Sequence, residues 1–258
     1  MKVSFLLVLI VLVSGIGLGA DAQKLPSVQK DPVTAPAQVK IDGDASEWQP
    51  MAYSHATDFF YTVANDLDNL YVVIQDTTNS SIQRIANGSV SFIFSSTERN
   101  AVAKPVSVSY PKIPGQFSSG ISYQIRTKAS PNTDDLIKIN KQLNDHLQDM
   151  PVSGIAGIQG SAISVYNDLG IVAAQRINTN KVYALEFKIP LKYLKTVIGA
   201  DGKLNYRLQV NGLDTSDGRT VVVGHAIGTT SNPDADMATK ARIMATTYVD
   251  GTYQLPKI

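Results

Sequence analysis

From residue 57 onward the chain alternates apolar and polar residues with a period of two, in short runs separated by Asn, Asp, Gly and Ser. Side chains along a strand point to opposite faces in turn, so this pattern builds half-buried strands and excludes a helical bundle. The runs at 57–64 and 69–76 flank Asn65-Asp66-Leu67-Asp68, a turn-forming set that predicts a hairpin. Val90, Phe92 and Phe94 predict a third strand after 80–88, a polar stretch in which Ile82 and Ile85 allow one helical turn. Strands at 162–166 and 170–177 flank Asn167-Asp168. Tyr183, Leu185, Phe187 and Ile189 alternate with Val182, Ala184, Glu186 and Lys188 until Pro190, after which 191–197 is expected to form a short helix. Leu204, Tyr206, Leu208 and Val210 repeat the alternation, 214–219 turns, 220–226 returns, and a last strand is expected at 241–249. Many short strands with few helices predict a mostly β fold, an antiparallel β-sandwich of jelly-roll-like form.

Two stretches break the pattern. Residues 105–123 hold three prolines and two glycines, which predicts irregular strands and loop. Asn132-Thr133-Asp134-Asp135 then supplies a cap and early acids, followed at helical spacing by Leu136, Ile139, Leu143 and Leu147. One inserted helix is therefore expected near 134–148, ending before Pro151. Adjacent carboxylates at a helix start serve the helix dipole, so Asp134 and Asp135 are not read as a catalytic acid pair.

The chain opens with Lys2, an apolar run from Phe5 to Val13, and Ala20-Asp21-Ala22. This is the pattern of a signal peptide at 1–22, cleaved before Gln23, and its apolar run is too short to span a bilayer. The expected location is secreted or periplasmic. With no cysteine there is no disulfide framework, and no lipidated cysteine to anchor the mature chain to a membrane. Residues 23–38, with Pro26, Pro32 and Pro36, read as an extended lead-in, and 39–258 as one sandwich domain with an insertion at about 97–160. Lys and Arg number 23 against 22 Asp and Glu, so no electrostatic funnel for nucleic acid is present.

Val39 to Trp48 joins an apolar alternation, a tight Asp42-Gly43 turn and the only tryptophan. Asp42 can bond the backbone two residues on, and Gly43 can take positive φ. Ile41-Asp42-Gly43 with Trp48, then Asn65-Asp66 and Asn69-Leu70-Tyr71-Val72, then Tyr183 through Leu191, then Val210-Asn211-Gly212-Leu213-Asp214, resemble in order the motifs of family 9 carbohydrate-binding-module-like domains. The resemblance implies a DOMON-like β-sandwich of exported bacterial proteins, binding polysaccharide or oligosaccharide alone or beside a glycoside hydrolase. Sugar-binding members clasp a terminal sugar between two tryptophans, whereas Trp48 is single here. Stacking must then come from other rings, and the insertion offers Tyr110, Phe117 and Tyr123.

Members of the resembled family can hold calcium, and two acidic turns, which also suit an ordinary hairpin, offer oxygen donors for it: Asp66 and Asp68 in one, Asp214 and Asp217 in the other. His55, His146 and His225 show no haem-ligand spacing. No zinc-protease helix, nucleophile elbow or phosphate loop is present. Any activity would be glycoside hydrolysis, with Glu186 the tempting acid, but a glutamate on a core strand is better explained by a structural bond. The leading expectation is an exported non-catalytic carbohydrate-binding protein. The alternative is a surface, adhesion or scaffold sandwich that has lost its sugar site, with a glycoside hydrolase third.

Overall fold

A computed structural model describes residues 25–113, 132–213 and 232–256. The predicted hairpin is its centre: β3 (Phe59–Asn65) and β4 (Asn69–Asp76) pair antiparallel, with Tyr61 opposite Ile74 and Val63 opposite Val72. β4 then pairs with β10 (Tyr183–Pro190), and β10 with β9 (Val172–Ile177). β1 (Val33–Thr34), parallel, and β2 (Ala52–Ser54), antiparallel, both pair with β3 and complete sheet A. Sheet B runs in the order β12 (Thr247–Gln254), β11 (Lys203–Val210), β5 (Val90–Ser95), β6 (Val106–Tyr110), β7 (Asp149–Ser153), β8 (Ala162–Ser164), antiparallel throughout.

The inward faces of the two sheets share one core, so the fold is a β-sandwich. Phe92 of sheet B stacks on Phe187 of sheet A with centroids 4.3 Å apart, and the hydroxyls of Tyr61 and Tyr206 meet at 3.2 Å. Glycine is required at position 251, where any Cβ would lie 2.2 Å from the Tyr206 ring. Sheet A's other face is roofed by the segment carrying Ala45, Trp48 and Met51, which rests on Tyr71, Val73 and Ala184.

The helices depart from expectation. The inserted helix is present as α2 (Thr133–Asp145), with a capping box between Asn132 and Asp135. The single turn near Ile82 is the ten-residue helix α1 (Asn79–Gly88), which buries Ile82, Ile85 and Ala86. The strand expected at 241–249 is corrected to the end of α3 (Pro233–Met244) followed by β12. Of α3 only Ile243 is buried, so no apolar stripe announces it. Its signals are Asn232 as cap, Pro233 in the first turn, and Asp234 and Asp236 at the positive end of the dipole. Residues 106–110 form a regular strand, because Pro105 and Pro111 bracket the alternation of Val106, Val108 and Tyr110 without interrupting it. The expected helix at 191–197 is a 3-10 turn at Leu191–Tyr193 followed by further turns. The return expected at 220–226 lies outside the described residues.

Sheet A's edges are closed by side-chain amides that imitate a backbone. On β3, Gln29 Oε1 accepts from Val63 N and Gln29 Nε2 donates to Val63 O, both at 2.7 Å, filling the gap between β2 and β1. On β9, Asn140 of α2 does the same for Ile177, donating to its O at 2.9 Å and accepting from its N at 2.8 Å.

Candidate functional site

The opening motif is a structural node. Gly43 takes φ +82°, and a Cβ there would sit 2.7 Å from the Cβ of Arg176, so only glycine brings this turn against β9. Asp42 Oδ1 accepts from Asp44 N at 3.0 Å, as the turn chemistry predicts. Glu186 Oε2 accepts from the backbone N–H groups of Asp42 and Gly43 at 2.9 and 2.7 Å, and its Oε1 accepts from Trp48 Nε1 at 2.7 Å. Burial pushes the Glu186 carboxyl up, and these three donors oppose it. Trp48 is 1% exposed, so neither it nor Glu186 faces a ligand.

Asp66 is likewise committed. It accepts from Asp68 N at 2.8 Å, Asn69 N at 2.7 Å, the Asn69 side chain, and the Tyr71 hydroxyl at 2.6 Å. Burial pushes its pKa up, but these donors together hold it below the usual carboxylate range. A calcium ion there would have to displace the bonds that shape the hairpin. Among the described residues no cluster of three or more acidic, His or Cys side chains is placed to hold a metal. Asp68 lies in the same turn; Asp214, Asp217, Phe117, Tyr123 and His225 lie outside the described residues. Tyr110 is 2% exposed and its phenol is pushed up by burial. Its ring belongs to the core and offers no face for stacking.

The chemistry that reaches solvent lies on the outer face of sheet B. Registers align three rows across it: Thr252, Asn205 and Ser95; Asp250, Arg207, Ile93, Ser107 and Ser153; and Tyr248, Gln209, Ser91 and Ser109. Short side chains form the floor and are already bonded in pairs, Ser91 with Ser109 at 2.8 Å and Ser107 with Ser153 at 2.9 Å. Longer groups form one bank. Arg207 donates from Nε and Nη2 to the two Asp250 oxygens at 2.7 and 2.9 Å, and its guanidinium lies 3.9 Å over the Tyr248 ring. The Asp250 bonds push the Arg207 pKa up, and the opposite charges of the bridge leave this bank with no net charge. Asn205 is held between Thr252 Oγ1 and Ser96 O at 2.8 and 3.1 Å. The groove so formed has a volume of about 510 Å³ and runs between Arg207, Asp250 and Asn205 on one side and Pro105 on the other, over Ile93 and Ser95.

Two exposed rings were missed by the sequence reading. Tyr248 is 47% exposed beside this groove, and its signal was the period-two set Tyr248, Asp250, Thr252, hidden by ending the strand at 249. Tyr166, 86% exposed, follows β8 at the far edge of the sheet, in a turn pinned by Asn167 bonds to Ser164 O and Ile171 O. A second hollow, of about 600 Å³, lies between residues 25–34 and 49–52, but its walls are mostly apolar and the Gln29 amide in it is spent on Val63.

No protein-family model and no curated protein matches the sequence. Among solved structures, a family 9 carbohydrate-binding module from Caldicellulosiruptor kristjanssonii in complex with glucose is similar at a TM-score of 0.33 and 12% identity, over 74% of this chain and 81% of that one. A likeness that distant says nothing of ligand or site in this chain.

Proposed function

We propose that this chain is an exported, non-catalytic β-sandwich that binds a neutral saccharide across the outer face of sheet B. The observation that carries the reading is the Arg207, Asp250 and Tyr248 arrangement beside the groove. Sugar hydroxyls need fixed planar donors and acceptors, and an apolar sugar face needs a ring; this bank supplies both at a site with no net charge. The overall charge of +1 agrees with a neutral partner. The signal-like opening at 1–22 supports export, and the order of the sequence motifs supports a carbohydrate-binding ancestry, beside a glycoside hydrolase or alone.

A second reading, a surface or scaffold sandwich without ligand, is favoured by one observation. The single tryptophan is locked under Glu186, so the paired-tryptophan clasp of sugar-binding family members does not exist here.

A glycan array followed by calorimetry on the mature chain tests the proposal. A shallow groove with one ring predicts dissociation constants of roughly micromolar to millimolar. Tyr248→Ala and Arg207→Ala should each weaken binding about tenfold or more while the protein stays folded. Parental affinity in both variants places the site elsewhere, and failure of every glycan to bind promotes the scaffold reading.

A further inference from the structure

Among the described residues, three of the four sheet edges are closed. Gln29 with β1 and β2 seals β3, Asn140 seals β9, and β8 is only three residues long and ends in a pinned turn. β12 differs. It is eight residues long, holds no proline or bulge, keeps an unbroken register with β11, and among the described residues no strand or side-chain amide pairs with its outer side. Its one charge, Asp250, is neutralised by Arg207. Such an edge lacks the devices by which folded proteins keep sheets from joining.

We propose that β12 is a dimerisation edge, on which a second copy of this chain lays its own β12 antiparallel to continue sheet B through a twofold axis. The orientation of the backbone supports this. Leu255 N donates to Gly202 O at 2.9 Å, so this pair is hydrogen-bonded, and bonded pairs alternate along an antiparallel ladder. Residues 247, 249, 251 and 253 therefore bond to β11, and the N–H and C=O groups of Tyr248, Asp250, Thr252 and Gln254 point outward.

Self-pairing has one favoured register. Centring it on Gly251 sets Asp250 opposite the partner's Thr252 and Tyr248 opposite the partner's Gln254, using all the outward groups in about eight hydrogen bonds. Centring it on Asp250 sets two carboxylates face to face, which destabilises a cross-strand pair, and shortens the ladder. A shift by a single residue turns the polar outer face of one copy toward the core side of the other. A foreign strand would need its own match to this edge, whereas the chain's own β12 already supplies one: no proline, no bulge and an internally neutralised charge. Pairing also sets the two outer faces of sheet B side by side. It does not depend on those faces binding sugar.

Sedimentation of the mature protein over a micromolar to millimolar range is the test, with a dimeric mass expected. Thr252→Pro removes an outward N–H and leaves the β11 ladder intact while giving up the Thr252–Asn205 bond, so it should be monomeric and folded, with a melting temperature that no longer depends on protein concentration. A parent that stays monomeric at the highest concentration overturns the proposal, as does a folded Thr252→Pro protein that remains dimeric. If that variant fails to fold, amide exchange in the parent decides. The Asp250 and Thr252 amides exchange slowly in the paired edge and as exposed amides in a free one, and the latter result rejects the pairing.

Discussion

Glu186 holds the roof of sheet A to its strand through three donors, and glutamine cannot replace it without conflict. An amide nitrogen would face either the Trp48 N–H or the Asp42 and Gly43 N–H groups, leaving buried donors unpaired. Glu186→Gln should lower stability by about 2–4 kcal/mol in urea unfolding, and an unchanged midpoint would remove the node from the account. Asp76 presents the opposite case. It is 1% exposed; its Oδ1 accepts from Thr78 N and Oγ1 at 2.7 Å each, while its Oδ2 has no partner. Burial pushes its pKa up from 3.8 to about 6. The folded state thus binds this proton more tightly than the unfolded chain. The associated stability is present below about pH 4 and is lost as pH rises through about 6, a swing of roughly 3 kcal/mol. Asp76→Asn keeps an oxygen for Thr78 and carries no charge. It should raise the melting temperature at pH 7.5, match the parent near pH 4, and flatten the profile between; a parallel profile would exclude Asp76 as its source.

At the scale of elements, the lead-in is part of sheet A in a way its proline-rich composition conceals. Gln29 is the hinge of that docking, with Tyr53 N donating to Pro26 O at 3.0 Å on one side and β1 on the other. Gln29→Ala would leave the Val63 N–H and C=O unpaired and should destabilise by about 1–3 kcal/mol. Gln29→Glu should recover only part of the loss, because a carboxylate accepts from Val63 N but cannot donate to Val63 O. Equal stability of all three proteins in thermal melts would show the edge to be solvated instead. The helices divide by the same physics. α2 was legible because Leu136, Ile139 and Leu143 mark its buried stripe. α3 was not, because only its caps and charges distinguish it, and those are weaker signals than an apolar stripe.

For the whole molecule, period-two alternation determined the sandwich, since it states at each position whether a side chain faces core or solvent. The same alternation placed Leu70 to Ile74, Tyr183 to Ile189 and Leu204 to Val210 in the core, where their inward side chains are buried. The Asp42-Gly43 turn and the structural role of Glu186 were readable too, because turn chemistry is local and a glutamate on a core strand needs a partner. What alternation does not encode is which strand lies beside which. Pairing β11 with β5, and β10 with β4, joins residues far apart in the chain through backbone groups that every residue shares. Only that pairing brought Arg207 and Tyr248 from separate strands onto one bank and, among the described residues, left β12 outermost. Local pattern therefore decided the fold class and the buried residues. The exposed face and the β12 edge, on which the two proposals rest, were decided by strand order, a property of long-range packing that no single stretch of sequence contains.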